Sequence, residues 1–250
     1  MKTMIIMSLA ACCLLTIALD LTAATMSPLS RRDSIFEAQS LAPLQIGAGV
    51  EAIKRDFSFD GNRRELEWRG YTGYIGCDVM PWATIFGTVG AVESAWPGAD
   101  FSSAGLAWSL GANLALWHMD IMKPDFMSGR LRLALTGEYA RKKDGGTADG
   151  VDTQWTEYFG ALLVGYEIYT TTRQDIHNMP YSLMLFVAPC ISHIDGTMKT
   201  RGLTDQDFED HGRVGVLGGI EVYIAKNLSV GAQVQHIGRP GLSGSLRYKF

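Results

Sequence analysis

Leu242-Ser243-Gly244-Ser245-Leu246-Arg247-Tyr248-Lys249-Phe250 is the stretch that decides the fold. Side chains alternate across a β-strand with a period of two. Leu242, Leu246, Tyr248 and Phe250 therefore share one face, with Gly244 between them, and Ser243, Ser245, Arg247 and Lys249 share the other. One face is apolar and ends in aromatics; the other is small and cationic.

Working back along the chain, the same alternation recurs. Its clearest case is Gly105 to Trp117, with Leu106, Trp108, Leu110, Ala112, Leu114 and Leu116 opposing Gly105, Ala107, Ser109, Gly111, Asn113 and Ala115. Thirteen residues exceed the ~9–11 that a tilted strand needs to cross a bilayer. Arg130 to Ala140 repeats it, with Leu131, Leu133, Leu135 and Tyr139 outward and Arg130, Arg132, Thr136 and Glu138 inward. Val214 to Ile224 and Leu228 to Gln235 do so again. In a soluble sandwich the polar face meets water and should be rich in Lys, Glu and Thr. Here the polar faces hold Gly, Ala, Ser and Asn, which suits a crowded lumen.

Five further runs are Leu44–Arg55, Gly70–Val79, Trp82–Glu93 (mixed on both sides), Thr156–Ile168 and Tyr181–Ile191 (apolar on both sides). With the closing strand the count is ten, and eight and twelve are the alternatives. The expected fold is an all-β transmembrane antiparallel up-and-down barrel over residues 44–250. Alternate links follow up-and-down parity. The expected outer loops are Phe57–Arg69, Ser94–Ser103, Arg141–Thr153, Ser192–Arg213 and Gly238–Gly241. The expected inner links are Met80-Pro81, His118–Ser128, Thr170–Pro180 and Ala225–Asn227. An even count leaves both ends of the barrel chain on one side.

The start of the chain supplies the compartment. Met1-Lys2-Thr3 precedes an apolar run from Met4 to Leu19, and the small residues Thr22, Ala23 and Ala24 follow. This is the layout of a secretory signal peptide spanning residues 1–24. Sixteen apolar residues are too few for a spanning helix. Leu9-Ala10-Ala11-Cys12 has the residue types of a lipidation signal, but the apolar run continues beyond Cys12. Residues 25–43 read as a periplasmic lead-in, with a helical turn at Ile35 to Ser40. Beyond Leu19 no apolar run reaches helix-spanning length, although 47% of residues are hydrophobic and 28 are glycine. Alternation hides such apolarity from any hydropathy peak. A net charge of −4 argues against a nucleic-acid partner. Cys77 and Cys190, left after the signal, read as two isolated buried thiols.

The terminal stretch resembles the closing strand of bacterial outer-membrane β-barrel proteins. Ser243, Tyr248 and Phe250 fit that family's pattern, whereas Ser245 occupies its glycine slot and Gly244 lies one place earlier. The resemblance implies residence in the outer membrane of a Gram-negative bacterium. It also implies an assembly signal at Tyr248 and Phe250, read by the barrel-assembly machinery. Membrane lipid and lipopolysaccharide are the expected surroundings, and the protein is expected to be a monomer.

Two constellations carry charge. Glu51, Asp78, Arg130, Arg132, Glu138, Glu157, Glu167, Glu221, Arg247 and Lys249 point into the lumen. Mixed signs in a narrow barrel pair with one another and fill it, and Glu51 and Arg247 are candidates for a bridge across the closing seam. The second constellation is the segment Ser192–Arg213, with His193, Asp195, Asp205, Asp207, Glu209, Asp210 and His211. An Asp210–His211 pair would suit a general base at the rim, as in omptin-like proteases or a lipid-modifying enzyme. No second acidic pair faces it, and a solvated acidic loop is the simpler account. Asp205-Gln206-Asp207-Phe208-Glu209 lacks the turn of a calcium loop. Zinc spacings, phosphate loops and nucleophile elbows are missing from the sequence, so no cofactor or metal is expected. The six tryptophans are expected in interfacial girdles. The expected role is structural, adhesive or surface-interacting, with at most a narrow porin-like pore and no catalysis. The alternatives are the rim hydrolase and an exported soluble β-sandwich or lipocalin-like binding protein.

Overall fold

The computed structural model describes residues 44–59, 62–121, 129–147, 150–169, 182–202, 204–225 and 227–250. The signal peptide, the lead-in and the Thr170–Pro180 link lie outside the described residues, as does most of the 118–128 link. Eleven strands form one sheet. They are β1 (Leu44–Phe59), β2 (Asn62–Met80), β3 (Ala83–Ala95), β4 (Gly105–Ile121), β5 (Gly129–Lys143), β6 (Val151–Tyr169), β7 (Ser182–Thr200), β8 (Gln206–Asp210), β9 (Val214–Ala225), β10 (Leu228–Ile237) and β11 (Arg239–Lys249).

Ten of them close a barrel. Neighbours pair antiparallel from β1 to β7, then through β9, β10 and β11, and β11 returns to β1 from Gln45↔Lys249 to Ile53↔Gly241. Closure matters because hydrocarbon offers no partner to a free N–H or C=O. Among the described residues no helix is long and apolar enough to cross a membrane; the strands do the crossing. A single closed sheet excludes the two-sheet sandwich.

The outward face defines the membrane band. On β1 it runs from Leu44 through Ile46, Ala48 and Val50 to Ala52, and ends at Lys54. Nine residues at a typical barrel tilt rise roughly 23 Å, close to the ~25 Å apolar height of such barrels. The neighbouring strands end their apolar runs at the same level, at Arg69 on β2, Glu93 on β3, Arg141 on β5 and His193 on β7. Within the band Ile75, Val89, Leu110, Val187 and Val234 are all more than half exposed, as lipid-facing residues should be.

Beyond this collar the strands continue, contrary to the sequence expectation of loops at Phe57–Arg69 and Ser192–Arg213. β1 and β2 stay paired up to Phe59↔Asn62, and β7 runs on to Thr200 against β6. β8 then folds back between β7 and β1, pairing Asp195↔Glu209 on one side and Phe57↔Asp210 on the other. The hairpin of β10 and β11 stops lower, in a one-residue turn at Gly238 whose φ of 72° favours glycine. β8 thus completes the wall where β9, β10 and β11 leave off.

The polarity of the wall inverts at the collar. Below it apolar side chains face out and polar ones in. Above it Phe57, Phe59, Leu66, Trp68, Trp155, Ile194 and Phe208 face in as a buried cluster, while Glu65, Glu67 and Asp195 face water. The extension is built like a small soluble protein, and we call it the outer cup.

Three tryptophans depart from the girdle expectation for this reason. Trp68 and Trp155 are buried in the cup, and Trp96 packs there against Phe57, Phe59 and Phe208. Cys77 also departs from expectation, being exposed on the outer face of β2. Cys190 is buried on the inner face of β7, and both thiols are free.

Candidate functional site in the lumen and outer cup

The lumen is filled in layers. Near the end where Leu44 and Phe250 lie, Asp78 accepts hydrogen bonds from Gln45 at 2.9 Å and Thr84 at 3.4 Å, with Lys249 at 3.4 Å. Arg130 pairs with Asp120 at the rim, at 2.6 Å. Above them Arg132 binds Glu167 through two nitrogens, at 3.0 and 2.7 Å, and Ser182 donates to the other oxygen of that carboxylate. Arg247 reaches Glu221 at 3.0 Å, and Ser229 shares the same oxygen. Beside the carboxylates of these pairs, β6, β7 and β9 supply apolar filling: Leu163, Met184, Phe186, Leu217 and Tyr223.

The seam bridge expected between Glu51 and Arg247 does not form. The register sets Ser243 opposite Glu51 and Gly47 opposite Arg247, four residues away along the seam. Glu51 instead crosses the lumen. Lys142 of β5 sits 2.8 Å from one of its oxygens and 3.4 Å from Glu157, and the Trp68 indole donates to that same Glu51 oxygen at 3.1 Å. Arg55, fully buried, holds Glu157 at 3.3 Å and Asp210 at 2.8 Å. Glu138 completes the layer and accepts from Ser109. A water-sized cavity of about 30 Å³ remains among Glu51, Thr88, Ser109, Glu138, Lys142 and Glu157.

Arg55 and Glu157 fix the scale of the pore. They stand on β1 and β6, five strands apart in either direction around a ten-stranded ring, and so diametrically opposed. Two side chains from opposite walls meet in one ion pair. Over this layer lies the aromatic one, where the Phe208 ring stands 5.0 Å from Phe57, 5.3 Å from Phe59 and 5.6 Å from Trp96. Each such ring pair adds about 0.5–1.5 kcal/mol beyond its burial. The buried ion pairs contribute less net stability than their attraction suggests, because desolvation offsets it. Their consequence is mutual dependence: removing one partner leaves the other buried without its counter-charge.

Asp210 and His211 occupy neighbouring positions without meeting. The Asp210 side chain is buried on Arg55 and accepts from the Gly212 N–H at 2.9 Å. Burial pushes its carboxyl up, against the opposing pull of the Arg55 guanidinium. His211 is exposed and uses its backbone N–H on the Asp56 carbonyl. Among the described residues no hydrogen bond or ion pair joins the two, and no group of acidic, His or Cys side chains is arranged to hold a metal. The closest histidine–carboxylate pair of the segment is His193 with Asp195, at 2.9 Å on the outer face. Sequence reasoning missed Arg55, Lys142, Trp68 and Phe208. The signal that could have found them is the inverted alternation past Ala52.

A closed ten-stranded antiparallel sheet, apolar outside over the width of a membrane and polar inside, is the architecture of an outer-membrane β-barrel. The chain is similar in structure to the translocator domain of the autotransporter NalP from Neisseria meningitidis (11% identity, 86% of this chain and 90% of that one, TM-score 0.34). It is also similar to the transport unit of the autotransporter AIDA-I from Escherichia coli (14% identity, 87% and 92%, TM-score 0.37) and to outer membrane phospholipase A from the same organism (11% identity, 84% and 94%, TM-score 0.23). No protein-family model and no curated protein sequence matches it.

Proposed function

We propose that the protein is a non-conducting outer-membrane barrel whose work is done at the cell surface by its rigid outer cup, in a structural, adhesive or surface-interaction role. The contact of Arg55 with Glu157 across the full diameter carries this reading. A side chain from each wall occupies the axis, a water-sized void lies within the charged layer, and the aromatic layer closes over it. Barrels of this strand number stand near the side-chain-filled end of the range, far from the 16–18 strands of water-filled porins. The cup meanwhile has its own buried core, so it keeps a fixed shape outside the membrane, as a surface meant to be recognised requires.

Osmotic swelling of proteoliposomes tests the proposal. Vesicles loaded with the folded barrel should swell in isotonic glycine or arabinose no faster than empty ones. Swelling that rises with the amount of folded protein would overturn it.

A further inference from the structure

We infer that the outer face of β4, β5 and β6, just at the collar, is a docking site for an anionic lipid that presents a phosphate group. This concerns the lipid-facing exterior and is independent of what the lumen does. Trp108, Tyr139, Tyr158 and His193 form a continuous row of rings across four strands, with centroids 5.6, 5.2 and 6.4 Å apart. Tyr139, Tyr158 and His193 stand directly opposite one another in the ladder, and Tyr158 is more than half exposed. Such rings sit at headgroup level, one end in acyl chain and the other in polar surroundings.

Immediately above this row the same face carries Arg141 and Lys143, both exposed, with Thr156 opposite the first and Gln154 opposite the second. Four hydrogen-bonding side chains in a two-by-two block thus lie over an aromatic shelf. The two cations are distinctive for what they lack. Lys54 pairs with Glu67, Arg69 with Glu67, Arg213 with Glu209 and Arg239 with Asp56, all near the same level. Arg141 and Lys143 have no acidic partner among the described residues.

Acidic groups do lie nearby. Asp195, Asp207 and Glu209 border a depression of about 340 Å³ that Arg141 and Thr156 also line. Asp195 is two strands from Arg141, roughly 10 Å, which is about one screening length at physiological salt. They confine an anion to the β4–β5 side of the block. There the guanidinium and ammonium can take a phosphate together while Trp108, Leu110 and Tyr139 meet the acyl chains.

Native mass spectrometry of the full-length folded protein in mixed micelles tests the site, with dioleoylphosphatidic acid and dioleoylphosphatidylcholine as probes. Wild type should retain phosphatidic acid preferentially. Arg141→Gln/Lys143→Gln should lower that retention about tenfold while still migrating as a folded barrel before boiling, and Lys54→Gln should change it less than twofold. Equal retention of the two lipids, or of phosphatidic acid by wild type and the double variant, would overturn the inference. So would displacement of phosphatidic acid by millimolar inorganic phosphate alone, which would mark a site for the free ion. Should the double variant fail to fold, Tyr158→Ala is expected to weaken retention, and an unchanged value would count against the site.

Discussion

Lys142 places its ammonium 2.8 Å from a Glu51 carboxylate oxygen across the interior of the barrel, from β5 to β1, and not along the wall. Glu157 and Arg55 extend the contact to the far side and to β8. One lysine therefore lies between two buried carboxylates: Glu157 has Arg55 as a second cation, and Glu51 has no other among the described residues.

Removing it should be costly. Lys142→Met leaves Glu51 without its cation in a low-dielectric interior, a loss of about 3–5 kcal/mol, while Glu157 keeps Arg55. Equilibrium unfolding from lipid vesicles in denaturant measures it, and adding Glu51→Gln should recover part of the loss. A single variant within about 0.5 kcal/mol of wild type would mean that water reaches the pair and screens it.

The band and collar should respond differently to the same substitution. Leu110→Arg, in the middle of the outward apolar face, should cost about 2–4 kcal/mol, whereas Thr156→Arg at the collar should cost about 0–1 kcal/mol. Refolding free energies in vesicles provide the comparison. Equal penalties would deny the placement of the band.

The cup depends on a close approach. A Cβ at Gly196 would collide with the Phe208 ring. Gly196→Ala should therefore lift β8 off β7 and expose residues 201–213 to protease, while the band keeps its resistance to SDS before heating. Phe208→Ala should do the same by emptying the space, at a cost of about 3–5 kcal/mol to the cup. Limited proteolysis followed by gel mobility separates the two regions.

Phe250 lies 62% exposed and meets Tyr248 edge-on at 5.0 Å, so it packs little against the rest of the protein. The final strand resembles those of outer-membrane barrels, and we propose on that ground that Phe250 is part of an assembly signal. Phe250→Ala should lower the amount found in the outer membrane of cells several-fold, with little change in refolding yield in detergent. Unchanged cellular levels would remove that role.

Most of the ten wall strands were legible in the sequence because one simple rule, apolar out and small or polar in, governs the lipid-facing wall. Trp82–Glu93 read as mixed and Tyr181–Ile191 as apolar on both sides, and the count of ten left eight and twelve open. The same rule hid the cup. Past Ala52 and before Thr156 the inward positions become Phe57, Leu66, Trp68 and Trp155, and a reader looking for outward grease sees only irregular, charged segments. β8 was obscured further by its five residues, of which only Phe208 is apolar. The lumen charges were nameable from parity alone, but not their partners. Pairing across a lumen depends on diameter and stagger, and the expected Glu51–Arg247 bridge fails on a register that no single strand encodes.

Single-channel recording in a planar bilayer tests the sealed lumen most directly. Purified, folded wild-type protein should insert without stable conductance steps, whereas Arg55→Ala/Lys142→Ala, which clears the axis of its two long cations, should give small, flickering ones. Large and steady steps from the wild-type barrel would contradict the account.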